Sequence, residues 1–264
     1  MANGTVDWKE TLLAERARTL AAFRDPRRSP YAAVARHDIP AGAPLLVGSA
    51  ADDDVRLEGL APHHARIAVD GAAFEVEIGG VKERVEPGRR IDLGRFVLRL
   101  SHQNLPAVLV LDPGSSRVQE GPLPRWFPPD EKYRLESALA RDRSPREEVV
   151  LSTLGFRRRA LRLGHFEARL DGLPLRLAAH RLLEPGVEES AMQIFFRDAT
   201  AGRETYPVGR YLDPEPLGEG WLLDFNRAVN PTCAFSPHYS CPVPPRENVL
   251  AFPIRAGEMD PAVA

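Results

Sequence analysis

Apolar and polar residues recur along this chain with two different periods, and the change of period divides it. From Val6 to Phe23 the apolar residues Trp8, Leu12, Ala17, Leu20 and Phe23 return at helical spacing, with Lys9, Glu10, Arg16 and Arg18 between them. The spacing predicts one amphipathic helix within residues 1–30, with Thr5 as its N-cap. The prolines of DPRRSP end it, because a residue before proline is held out of helical geometry. Its apolar stripe is expected to cover a sheet edge.

Beyond Tyr31 the period drops to two. PLLVGSA, DVRLEGL, ARIAVDG, AFEVEIGG, RRIDLGRFVLRL and AVLVLD are short alternating runs separated by Gly, Asp and Pro, which predicts a β-sandwich over residues 31–112. Residues 113–145, rich in Pro, Gly and charge, read as a linker. Trp126 and Phe127 are expected to pin it to a domain surface, since large rings are costly to leave in water. Asp130 is placed as the cap of a short helix running through Ala140.

A second β domain is expected over residues 146–264. Ser144-Pro145-Arg146-Glu147 matches a capping box, but the β-branched residues that follow favour a strand. From Ala160 to Leu183 the alternation predicts a hairpin turning at Asp171-Gly172, with a β-bulge where its parity slips at Gly164-His165. Arg162, Arg169 and Arg176 are placed as a solvated outer stripe. Further on, IFFRDAT, TYPVGRYL, GWLLDFN and NVLAFPIRAGE are expected to be the strands of a meander. The fold class is therefore mainly β, with one helix in front.

Composition supports that class and removes several functions. Pro 25 and Gly 20 in 264 residues favour turns and short strands. A formal net charge of -2, from 35 basic and 37 acidic residues, supplies no field to attract nucleic acid or an anionic membrane. The first residues carry Asp7, Glu10 and Glu15 and do not read as a secretory signal. No run reaches the roughly 18 apolar residues of a membrane span. A cytoplasmic protein is expected, with no nucleic-acid or membrane partner and with a small polar ligand or another protein as its partner. No Walker loop, HExxH, GxSxG, CxxC pair or dinucleotide fingerprint occurs, so no cofactor is expected.

Candidate chemistry concentrates between Met192 and Glu258. Asp224 and Asn226 flank Phe225 and are expected to share a face. The segment Pro231–Pro245 holds five prolines and both cysteines, a loop rigid by composition beside a strand. Cys233, His238 and Cys241 have C-x4-H-x2-C spacing, three zinc ligands that would need Asp224 as a fourth. A Cys233–Cys241 disulfide, a nucleophilic cysteine and buried structural thiols are the alternatives, and the last is preferred, with no metal. The expected ligand-binding set is Tyr206, Arg210, Asp224, Asn226, Asn230, Cys233, Tyr239, Cys241, Glu247 and Asn248. The plainer reading has the asparagines satisfying loop backbone groups and Arg210 pairing with Asp224. The function expected is binding or scaffolding. The alternative is a hydrolase or isomerase using Asp224 or Glu247 as acid/base, with Tyr206, Arg210 and Tyr239 orienting a small polar substrate.

Two resemblances add to this. LLVGSAADDDVRLEGLAPHHARIAVDG and GRRIDLGRFVLRL resemble a forkhead-associated domain, a sandwich that binds phosphothreonine peptides. Gly48, Asp54, Leu57, His64, Ala65, Ile67 and Ile91-Asp92-Leu93-Gly94 carry the likeness. Ser49 and Ala61 replace that family's phosphate-gripping arginine and serine, so phosphopeptide binding is not expected, and His64 is expected to brace loops. FRDATAGRETYPVGRYL, DFNRAVNPTCAFSPHYSCPVPP and ENVLAFPIRAGE closely resemble the hallmark of the bacterial family known as domain of unknown function 1684, over about residues 145–260. That resemblance implies a β-rich protein of no established activity, most distinctive in its Cys-containing segment. Val229 stands where the family often has an aromatic residue, which implies an altered wall for a pocket there.

Overall fold

The computed structural model describes residues 7–102 and 105–263, and these divide into two compact units. One comprises residues 26–120 with 184–188, the other residues 1–25, 121–183 and 189–264.

The first unit is built on alternation. Strands β1 (Ala33–Asp38), β2 (Leu45–Gly48), β3 (Val55–Arg56), β4 (Ala65–Asp70), β5 (Ala73–Ile78), β6 (Val81–Val85), β7 (Arg90–Leu93), β8 (Phe96–Ser101) and β9 (Ala107–Leu111) form two sheets. Their orders are β1-β9-β8-β7 and β3-β2-β4-β5-β6, antiparallel except for the β2–β3 pair. Val47, Ile67, Phe74 and Val76 from one sheet and Leu98, Leu100, Val108 and Val110 from the other share a single core, as two packed sheets must. Gly48 ends β2 where a Cβ would lie 2.4 Å from the Asp53 carboxylate and 2.6 Å from the His63 nitrogen. That close approach lets buried Asp53 accept from Ala50 N, His63 N and the His63 ring. The bracing histidine is thus His63, whose φ of 48° the loop imposes, and the contact expected of His64 belongs to its neighbour.

In the second unit, strands β10 (Arg134–Ser137), β11 (Leu139–Leu151), β12 (Arg157–Leu170), β13 (Leu173–Leu182), β14 (Ile194–Phe196), β15 (Arg210–Leu212), β16 (Glu215–Leu217) and β17 (Gly220–Asp224) form three small sheets. They are ordered β11-β12-β13, β10-β17-β16 and β14-β15, so the expected single meander is divided. The β12–β13 hairpin turns at Asp171-Gly172 with both φ angles positive, as a two-residue turn requires. Its register shifts between Arg162 and Gly164, where the parity slip lies. Phe166 and Leu177 from the hairpin, Ile194 and Phe196 from β14, Leu212, Leu223 and Phe225 form the core.

Four expectations are corrected here. Asp130 caps a single turn, Glu131–Tyr133, and no helix runs on to Ala140: residues 134–137 pair with β17, and Leu135 and Leu139 pack on the core. Arg162 is not solvated: its side chain is 11% exposed and lies among Asp142, Glu148 and Glu247. NVLAFPIRAGE is not a strand; it forms isolated bridges at Val249 and Glu258, and scattered backbone bonds such as Ala199 N to Phe252 O are supplemented by side chains. The helix α1 (Trp8–Arg24) clusters with the second unit rather than standing as a separate segment. Of its stripe only Leu12 is buried, Ala17 is exposed, and polar contacts do much of the docking: Arg16 donates to Phe127 O and Asn226 O, and Glu15 pairs with Arg227. Asp7 caps the helix through Lys9 N, while Thr5 and Val6 lie outside the described residues. Among the described residues no helix is long and apolar enough to cross a membrane.

Candidate functional site

Arg210 opens β15 fully buried, and its guanidinium shows how this unit is held. It pairs with Asp198 at 2.6 Å and donates to the carbonyls of Ile254, Ala256 and Glu258. The C-terminal segment lies in no sheet here and bridges only at Glu258, so one side chain supplies donors that a neighbouring strand would have supplied. Arg210 does not pair with Asp224. That carboxylate, 1% exposed, accepts from Arg134 Nε at 3.2 Å, Arg227 Nη1 at 2.8 Å, Asn226 N at 3.1 Å and Asn226 Nδ2 at 2.9 Å. Its acceptor capacity is spent on structure, and it is not among the residues lining the cleft beside α1.

Asn226 fits the plainer reading, whereas Asn248 serves strand rather than loop backbone and Asn230 keeps its buried Oδ1 without a hydrogen-bond partner. Asn226 exchanges two hydrogen bonds with the backbone of Asp130, and Asn248 exchanges two with Ala178 and donates a third to Phe195 O. Asn230 donates through its backbone to Glu258 Oε2 at 2.7 Å and through its side chain to Met259 O. Glu247 is exposed and ion-paired with Arg162, so Asp224 and Glu247 make no acid/base pair in a common cleft. Glu148, His180 and Glu247 are the one group among the described residues whose His, Cys or carboxylate atoms converge, within 4.8 Å, as a metal needs. Arg162 already supplies the positive charge there. Cys233, His238, Cys241 and Asp224 do not converge in this way.

Cys233 and Cys241 are free thiols, the first half-buried and the second buried. Cys233 N donates to Cys241 Sγ at 3.3 Å, and Tyr206 Oη donates to Cys233 O at 3.4 Å and to Cys233 Sγ at 3.8 Å. The loop is stapled by Cys241 N to Thr153 Oγ1 and Thr153 N to Cys241 O. Hydrogen bonding from Cys241, helped by Tyr206 and Thr153 and opposed by burial, brings the Cys233 thiol down to about 7. Donation to Cys233, together with burial, raises the Cys241 thiol, and burial raises the Tyr206 hydroxyl. Tyr239 has its carbonyl as acceptor for Thr153 Oγ1 at 3.5 Å.

The thiol loop does not line the cleft that α1 borders. A cleft of about 430 Å³ opens between α1 and the strands, lined by Leu12, Arg16, Trp126, Tyr211, Val229 and Glu258 among others. Of the ten expected ligand residues only Asn226 reaches it. Glu258, 3% exposed, is its most perturbed carboxyl: burial pushes it up to about 7 against the pull of Asn230 N–H, Arg210 and Arg16. Arg16 lies over the Trp126 ring, 5.5 Å from its centroid. Its Nη atoms hold carbonyls, whereas its Nε is buried with no hydrogen-bond partner. Glu258 was legible only as a nearby carboxylate, and Arg16 only as a polar gap in the helix; no spacing joins residues 16, 126 and 258.

The family model described as "Protein of unknown function (DUF1684)" matches residues 124–259. A solution NMR structure of an uncharacterized protein from Haloarcula marismortui is 33% identical to the chain, covers 55% of it and 80% of its own length, and superposes with a TM-score of 0.45. No curated protein matches the chain.

Proposed function

Because the chain belongs to the DUF1684 family, which supplies no activity to inherit, we propose from its own geometry that it is a small-molecule binding protein whose site is the α1 cleft. The single observation carrying this is Glu258, a buried carboxyl titrating near neutrality in the wall of an open cleft. A structural carboxylate in a sealed core has no reason to line solvent-filled space, and perturbed groups gather where ligands bind. The unpartnered Arg16 Nε supplies a donor, Glu258 donates or accepts according to its protonation, and Leu12, Trp126 and Val229 supply apolar walls. The site fits a small organic molecule with one polar, hydrogen-bonding end and one apolar face.

The test is a thermal-shift screen of such molecules against the native protein, Arg16→Met and Glu258→Gln. A ligand present at about 100 times its Kd stabilises the folded state by about 3 kcal/mol, several degrees in Tm for a chain of this size. The native shift should be lost or strongly reduced in both variants. A ligand that shifts all three proteins equally would place its site elsewhere and sink the proposal.

A further inference from the structure

The thiol loop lies outside that cleft and carries its own chemistry. Cys233 is half-buried and the more accessible of the two, whereas Cys241 is 6% exposed. Cys233 Sγ is approached by Tyr206 Oη at 3.8 Å, and Cys233 N donates to Cys241 Sγ at 3.3 Å, which brings the Cys241 thiol beside it as a second donor. Such donors stabilise a thiolate more than a thiol. The prolines and the Thr153 staples hold the two residues at one end of a short loop, so little ordering remains to bring sulfur to sulfur.

We propose that Cys233 and Cys241 form a peroxide-reactive dithiol that closes to an intramolecular disulfide, with Cys233 attacking and Cys241 resolving. The Cys233 thiolate attacks one oxygen of a hydroperoxide; the S–O bond forms, the O–O bond breaks, and hydroxide or alkoxide leaves with the electron pair. The Cys233 sulfur is now a sulfenic acid, and the peroxide is the species reduced. Cys241 Sγ then attacks Cys233 Sγ; the S–S bond forms, the S–O bond breaks, and the departing oxygen takes the Cys241 proton to leave as water. The donors mark Cys233 as the attacker, because they favour its thiolate, the nucleophilic form, while Cys241 is held as the thiol.

The experiment treats the reduced full-length protein with hydrogen peroxide at pH 7, blocks residual thiols by alkylation and maps the peptides. Expected are a Cys233–Cys241 linkage within one chain and thiol loss several-fold faster than in a cysteine peptide, the larger thiolate fraction outweighing the lower nucleophilicity of a low-pKa sulfur. Cys241→Ser should halt at a Cys233 sulfenic acid captured by dimedone, and Cys233→Ser should leave Cys241 unoxidised. Loss of Cys233 no faster than the peptide without the linkage would overturn the proposal, as would oxidation of Cys241 in Cys233→Ser at the native rate. Should either variant misfold, the native rate and peptide map decide the matter alone.

Discussion

Glu258 makes a measurable claim about pH. Its folded pKa of about 7 exceeds the ordinary carboxyl value of 4.5, so between these values the folded chain holds a proton that the unfolded chain has released. Stability from this group is therefore complete below about pH 4.5, falls as pH rises and levels off above 7, a total of about 3 kcal/mol. Denaturant titrations of the native protein and Glu258→Gln at pH 5 and pH 8 should show the variant gaining on the native protein by about that amount at the higher pH. A constant difference would mean an ordinary carboxylate. Residues at this scale were legible by type but not by partner. Asn226 and Asn248 both pair with backbone, as a buried amide must wherever it lies, but the sequence does not show that Asn248 serves strands β13 and β14 rather than a loop. Arg210 was read as the partner of Asp224, and nothing in the spacing could have named Asp198 and three carbonyls 44 to 48 residues downstream instead.

Among the elements, the β12–β13 hairpin was the most legible, because its period, its turn and its bulge are all written in local sequence. Gly164 shows why the slip is needed. Its φ is +144°, and an added Cβ would lie 2.4 Å from Ala140 O and 2.9 Å from Arg141 Cα on the neighbouring strand. Gly164→Ala should therefore force β11 away from β12 and destabilise the unit by roughly 1–3 kcal/mol. Faster amide exchange at residues 139–151 and 164–170 would report it, with Gly172→Asn, at a turn glycine with nothing within 4 Å, as a milder control. Equal protection in both variants would mean that the bulge is not under steric constraint. Elements whose partners come from afar were less legible. The stretch from Asp130 to Ala140 is expected to be helical, yet pairing of residues 134–137 with β17 and of Leu139 and Ala140 with β12 overrides a weak local preference. The helix α1 was placed correctly, but its seat was not, because a stripe with a single buried residue is a poor guide when Glu15 and Arg16 help anchor it.

For the whole molecule, chain order and spatial grouping diverge. Residues 1–25 precede the sandwich in sequence but cluster with residues 121–183 and 189–264, and residues 184–188 return to the sandwich unit, where Gly186 lies against Pro87. A reading that runs along the chain assigns segments to their neighbours in sequence, and composition marks no such interleaving. The sandwich unit has a core drawn from both of its sheets, with Val47, Ile67, Phe74, Leu98, Leu100 and Val108 essentially sealed from solvent. A chain of about a hundred residues buries enough surface to be stable without help, though by a modest margin. The fragment of residues 26–120 should therefore fold alone, unfolding in one cooperative denaturant transition and giving a dispersed amide spectrum. Because it lacks residues 184–188, its midpoint should fall somewhat below that of the same unit in the full chain. A fragment that stays unfolded would make the sandwich dependent on the rest of the protein for its stability, and the two units would then be a division of contacts rather than of folding.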